Sequence, residues 1–114
     1  MTAFAALPAG AQDAFTISGL HVDESAASSA VAENLAIQQG RSRAWQILYR
    51  RLTRQQDWGR QPQLDDAALQ RLSRGSIIAG ERRSTTRYVA DVTYRFNPEA
   101  VARLLRGANL AFAQ

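Results

Sequence analysis

The ten residues RYVADVTYRF, Arg87 to Phe96, constrain this chain more than any other stretch. Tyr88, Ala90, Val92, Tyr94 and Phe96 fall on one side of an extended backbone. Val89, Asp91, Thr93 and Arg95 fall on the other. A strict period of two is the pattern of a strand with one buried and one solvated face. Such a strand has to sit in a half-buried sheet, and the rest of the chain can be read for what supplies the partners and the cover.

Two further strands are expected. Phe15-Thr16-Ile17-Ser18 alternates, and Leu20 and Val22 shift the apolar phase across Gly19, which predicts a strand with a bulge at the glycine. Ser76 to Arg83 carries Ile77 and Ile78 and leads through Arg83-Ser84-Thr85-Thr86 into the alternating strand, so the two form a hairpin. Between the first strand and this hairpin lies an Ala-rich helix, with Asp23 and Ser25 as candidate caps and its end near Thr53. Val31, Leu35, Leu48 and Leu52 share its expected apolar face, with Trp45 in the core beside them and Tyr49 at the boundary. Gly40 in mid-helix costs about 1 kcal/mol relative to alanine, and a close approach to the sheet would explain it.

The polar run QQDWGRQPQ, Gln55 to Gln63, reads as a loop in which Trp58 either folds back on the helices or presents an aromatic contact. A short helix follows, capped by Asp65 or Asp66 and closed at Arg74 by Gly75. Asn97-Pro98-Glu99 opens the last helix with a cap, a proline at the first helical position and an acid in the first turn. Val101, Leu104 and Leu105 line that helix, and Gly107 ends it. The order β-α-α-β-β-α predicts an α+β fold, a small three-stranded antiparallel sheet with helices on one face.

At 114 residues there is room for one domain. Residues 1–11 read as the remnant of a signal peptide, with Ala9-Gly10-Ala11 as the cleavage site, and 12–114 as the α+β domain. The expected location is therefore the periplasm, and no stretch approaches the roughly 18 apolar residues of a membrane span. The absence of cysteine excludes disulfides, thiolate metal sites and a cysteine nucleophile.

No catalytic set stands out. His21 is the only histidine; it lies beside Asp23, but no serine is marked as a nucleophile, and one histidine with scattered carboxylates has no metal-ligand spacing. Gly75 and Gly80 lack the spacing of a phosphate loop. The expectation is a chain that is not an enzyme and needs no cofactor.

Three stretches together resemble a bacterial family catalogued as domain of unknown function 2066. They are FTISGLHVD leading into the Ala-rich helix with Gln38-Gln39-Gly40-Arg41, then GERRSTTRYVADVTYRFNPEAV, and the ending ARLLRGANLAFA. The likeness runs from Phe15 to Ala113 and is most specific from Arg87 to Leu105. It implies an exported protein with this domain at its N-terminal end and further sequence behind it. It brings no activity and no catalytic residues.

All fourteen basic residues are arginine, and the net charge is +4. Arginine pairs bidentately with carboxylate and phosphate, although genomic composition also accounts for the bias and a basic balance alone does not point to nucleic acid. Two functions follow as expectations. One is a non-enzymatic interaction domain that docks another envelope protein, or the remainder of its own chain, at an open sheet edge. The other is an anion-binding module for an acidic polymer, lipid head group or nucleic acid. For the second, a path in which the first and last strands run the same way brings Arg50, Arg51 and Arg54 to the same pole as Arg82, Arg83 and Arg87, with Arg103 and Arg106 beside them. Asp23, Glu24 and Glu99 would then collect at the opposite pole.

Overall fold

The computed structural model describes residues 14 to 113; the signal-peptide expectation for residues 1–11 lies outside them. The elements are β1 (Thr16–Ser25), α1 (Ser29–Leu52), a 3-10 turn (Gln55–Arg60), α2 (Asp66–Leu72), β2 (Ser73–Arg83), β3 (Arg87–Phe96) and α3 (Pro98–Gly107). They realise the expected α+β order. The sheet is antiparallel throughout, with β3 in the centre between β1 and β2. The strand with the clearest alternation takes the position flanked on both sides. Its five even-numbered residues are all buried and its odd-numbered ones are not.

Gly19 adopts φ +61°, and the β1 to β3 register shifts between Ile17 and Leu20, so the glycine makes the bulge expected of it. The side-chain hydroxyl of Thr93 on β3 receives the Gly19 N–H at 3.1 Å and holds the bulge in place. Ser84 closes the hairpin: its N–H donates to the Arg87 carbonyl at 3.0 Å, and its hydroxyl accepts from the Arg87 N–H at 3.1 Å.

Several boundaries differ from expectation. β1 continues to Ser25, so neither Asp23 nor Ser25 caps α1; Ser28 does, accepting from Val31 N–H at 3.2 Å. Extending β1 lets it pair with β3 along its whole length, and the cap moves to the first serine beyond the ladder. The short helix stops at Leu72, and Gly75 lies inside β2 with φ +114°. Asp65 is its cap, accepting from Ala68 N–H at 2.8 Å.

The buried face of α1 runs through the small residues Ala32, Ala36, Gly40 and Ala44 and then through Trp45, Leu48, Tyr49 and Leu52. Val31 and Leu35, expected in the core, are 47% and 37% exposed. The reason is distance. Where the helix crosses β1 and β3 it lies too close for a leucine, and only small residues fit. A Cβ on Gly40 would overlap the Tyr94 hydroxyl and come within 2.8 Å of Val22 Cγ1. Tyr49, expected at a boundary, is completely buried with its hydroxyl donating to Asp57 O at 2.7 Å.

The core formed by these residues with Phe15, Ile17, Val22, Tyr88, Val92, Tyr94 and Phe96 also receives Leu69 and Leu72 from α2 and Val101 and Leu105 from α3. All helices thus contribute to the face of the sheet that carries Tyr88 to Phe96. Among the described residues no helix is long and apolar enough to cross a membrane.

Candidate docking edge

A three-stranded open sheet has two edges, and unpaired edge groups invite pairing with another chain. The hydrogen-bond alternation shows which groups these are. Phe96 N–H bonds Phe15 O and Ala26 N–H bonds Thr86 O, so even residues of β3 turn their backbone toward β1. Asn97 N–H bonds Leu72 O and Ser84 N–H bonds Arg87 O, so odd ones turn toward β2. Through the register, Ile77 and Ala79 of β2 bond inward to Thr93 and Asp91, and the N–H and C=O groups of Ser76 and Ile78 point outward.

The β1 edge is guarded by side chains from α1. Arg51 donates to the outward carbonyls of Ala14 and Thr16 at 2.9 and 3.1 Å, and Arg43 to that of His21 at 2.8 Å. The Gly19 bulge bends the same edge.

Among the described residues the β2 edge carries no such cover. Every residue from Arg74 to Arg83 is exposed, including Ile77 at 54% and Ile78 at 41% on opposite faces of the strand. The strand is nevertheless held at both ends. At its start, Leu72 O accepts from Asn97 N–H at 2.7 Å and Ser73 Oγ accepts from Gly75 N–H at 2.9 Å. At its end, a register shift between Ala79 and Arg82, with Gly80 at φ +61°, lets Glu81 accept from the Tyr88 hydroxyl at 2.7 Å. Arg83 then bridges Glu81 at 3.1 Å and Glu33 of α1 at 3.0 Å, over the ring of Tyr88. The Tyr88 hydrogen bond holds the Glu81 carboxyl below its ordinary 4.5, and burial raises the Tyr88 phenol well above its usual range. The middle, Ser76-Ile77-Ile78-Ala79, is uncharged and is uncovered among the described residues.

The six arginines expected at one pole do not converge. Arg51 sits beside Thr16, whereas Arg83 reaches Glu33 near the start of α1, and Arg87 pairs with Ser25 in the sheet register. The ten residues of β1 separate those ends by about 30 Å. The expected path failed because β3 runs antiparallel to β1, and because α2 passes directly into β2. Its seven residues span only about 10 Å and cannot carry the chain back along a 24-residue helix of about 36 Å. Asp23, assigned to the acidic pole, instead pairs with Arg87 through two hydrogen bonds of 2.9 and 2.6 Å. That bond draws the Asp23 carboxyl below 3.8 and raises the Arg87 guanidinium.

Most of the six are occupied within the fold. Arg54 joins Arg60 on the buried Asp57 carboxylate, each at 3.2 Å, and Arg50 stacks on Trp58 at 4.9 Å. Trp58 is half-buried, folded back on the core. Asp57 was missed by the sequence reading, although the spacing Arg54, Asp57, Arg60 is its signature. Arg82 is the exception: among the described residues it has no ion-pair partner, and neither does Arg74 at the other end of the strand. Arg82 lies on the uncovered face, in a depression of about 410 Å³ with His21, Asp23, Arg87 and Val89. His21 there is exposed and meets Asp91 at 3.0 Å. Among the described residues, no group of three or more histidines and carboxylates is arranged to hold a metal.

Comparison with known proteins finds no matching family model, no similar curated protein and no similar solved structure.

Proposed function

We propose that this chain is an exported, periplasmic, non-enzymatic docking domain. It receives an extended segment of another envelope protein, or of the remainder of its own chain, as a fourth strand beside β2. The observation that supports this reading is the contrast between the two edges: arginines of α1 occupy the outward carbonyls of β1, and among the described residues no side chain does so along the outward edge of β2, which is paired with β3 alone. A strand fixed at both ends loses little conformational freedom on pairing, so main-chain hydrogen bonds in its middle turn into affinity with little ordering cost.

Ile78→Pro tests the reading. The N–H it removes points outward, so the ladder to β3 survives and the fold tolerates the change as edge strands tolerate proline. Ile77→Pro is the contrasting variant, since it removes an inward bond and costs about 0.5–1.5 kcal/mol or more. A photo-crosslinking residue in place of Ser76 should capture a periplasmic protein, or the rest of the same chain, and one in place of Ser25 should not. Introducing Ile78→Pro should abolish that capture with little change in melting temperature. Equal capture at both edges, capture that survives the proline, or protein confined to the cytoplasm would overturn the proposal.

A further inference from the structure

Resting on the strand-addition reading, we infer that the segment received by β2 is acidic at both ends and aliphatic in the middle. The unsatisfied chemistry of the strand is a short apolar centre, Ile77 and Ile78, bracketed by Arg74 and Arg82. At the hairpin end the neighbouring arginines are already paired. Arg83 is held by Glu33 and Glu81, and Arg87 by Asp23, whereas Arg74 and Arg82 meet no carboxylate among the described residues. A strand laid along β2 has an aliphatic side chain against Ile77 and, further along the same face, a carboxylate toward Arg82. Gly75 and Ala79 beside Ile77 leave room on that face for the incoming side chains.

Charge favours this occupant over a second copy of the chain. The chain carries +4, so two copies repel, and a β2 to β2 pairing centred on Ile78 sets Arg74 of one copy opposite Arg82 of the other. An acid-ended segment meets both arginines with the favourable sign. The bare middle supplies no charge of its own, so register is set at the two ends. A one-residue slip would turn the aliphatic side chains to the wrong face and misplace the carboxylates.

The test uses two blocked ten-residue peptides with a Thr-Val-Thr-Val-Thr-Val core, one ended by glutamate pairs and the other by lysine pairs. Nuclear magnetic resonance titration of the whole chain should show the glutamate peptide binding about fivefold or more tighter at low salt. The amides of Ser76 and Ile78 should become protected. The preference should shrink in high salt and reverse in the double variant Arg74→Glu, Arg82→Glu. Ile78→Pro should remove binding of both peptides. If both bind equally and the proline still blocks them, strand addition stands and the acidic partner is wrong. If neither binds at about 1 mM, both readings fall. Concentration-dependent dimerisation abolished by Ile78→Pro would make the occupant a second copy and overturn the inference.

Discussion

The hydroxyl of Tyr94 occupies the space where a side chain on Gly40 would begin, and it donates a hydrogen bond of 2.8 Å to Ile37 O, three residues earlier in the same helix. This one relationship sets how closely α1 lies on the central strand. It links the choice of a glycine in mid-helix to the small residues Ala32, Ala36 and Ala44 that share its face.

Gly40→Ala should therefore act against helix propensity. On an exposed helix the change would gain about 1 kcal/mol. Here the new methyl group meets Tyr94 and Val22, and overpacking should cost about 1–3 kcal/mol net. Urea denaturation measures the loss. Combining it with Tyr94→Phe, which removes the clashing oxygen, should recover part of the loss; a stabilising Gly40→Ala would mean the helix and sheet separate enough to admit a methyl group.

The two faces of β3 should respond unequally. Phe96→Ala empties a fully buried site and should cost about 3–5 kcal/mol. Thr93→Ala lies on the uncovered face, but it removes the acceptor for the Gly19 N–H and should cost about 0.5–1.5 kcal/mol. The difference is read from denaturation midpoints. Thr93→Val, which keeps the shape without the hydroxyl oxygen, should match Thr93→Ala if the bulge bond is the cause.

Stability should fall at both extremes of pH. Asp23 and Glu81 have carboxyl pKa values held below 3.8 and 4.5 in the fold by hydrogen bonds from Arg87 and Tyr88. Their contribution is present above those ordinary values and is lost as pH falls through the lowered ones. At the alkaline end, burial pushes the Tyr94 phenol from 10.0 up to about 12, so its contribution is intact below pH 10.0 and fades as pH climbs toward 12. Melting temperature against pH should show both limbs. The combined variant Asp23→Asn, Glu81→Gln should flatten the acid limb, and Tyr94→Phe should make the alkaline one shallower while the raised Tyr88 and Tyr49 phenols keep the rest; an unchanged acid limb would mean the hairpin ion pairs do not contribute to folding.

The sequence by itself determined much of what is local, though not the cap of α1 or the end of α2. The alternation from Tyr88 to Phe96, the Gly19 bulge and the Asn97 cap depend on backbone geometry and neighbours a few residues away, and each stands where its residues placed it; for α2 the residues left Asp65 and Asp66 open, and the fold uses Asp65. Periodicity also located α1 but chose the wrong apolar residues in its first half, because hydrophobicity does not report how near the facing strand lies. Val31 and Leu35 were too large for a gap that admits only alanine and glycine. Strand order belonged to the tertiary structure alone. The hairpin of β2 with β3 is local, but no residue in β1 states which of its two strands β1 will flank, and that choice decides whether six arginines gather at one pole or separate to two. It also decides which edge is left open. Arg43 and Arg51 guard β1 only because α1 lies across it, and β2 stays bare because the same helix, seated on β1 and β3, ends its cover there.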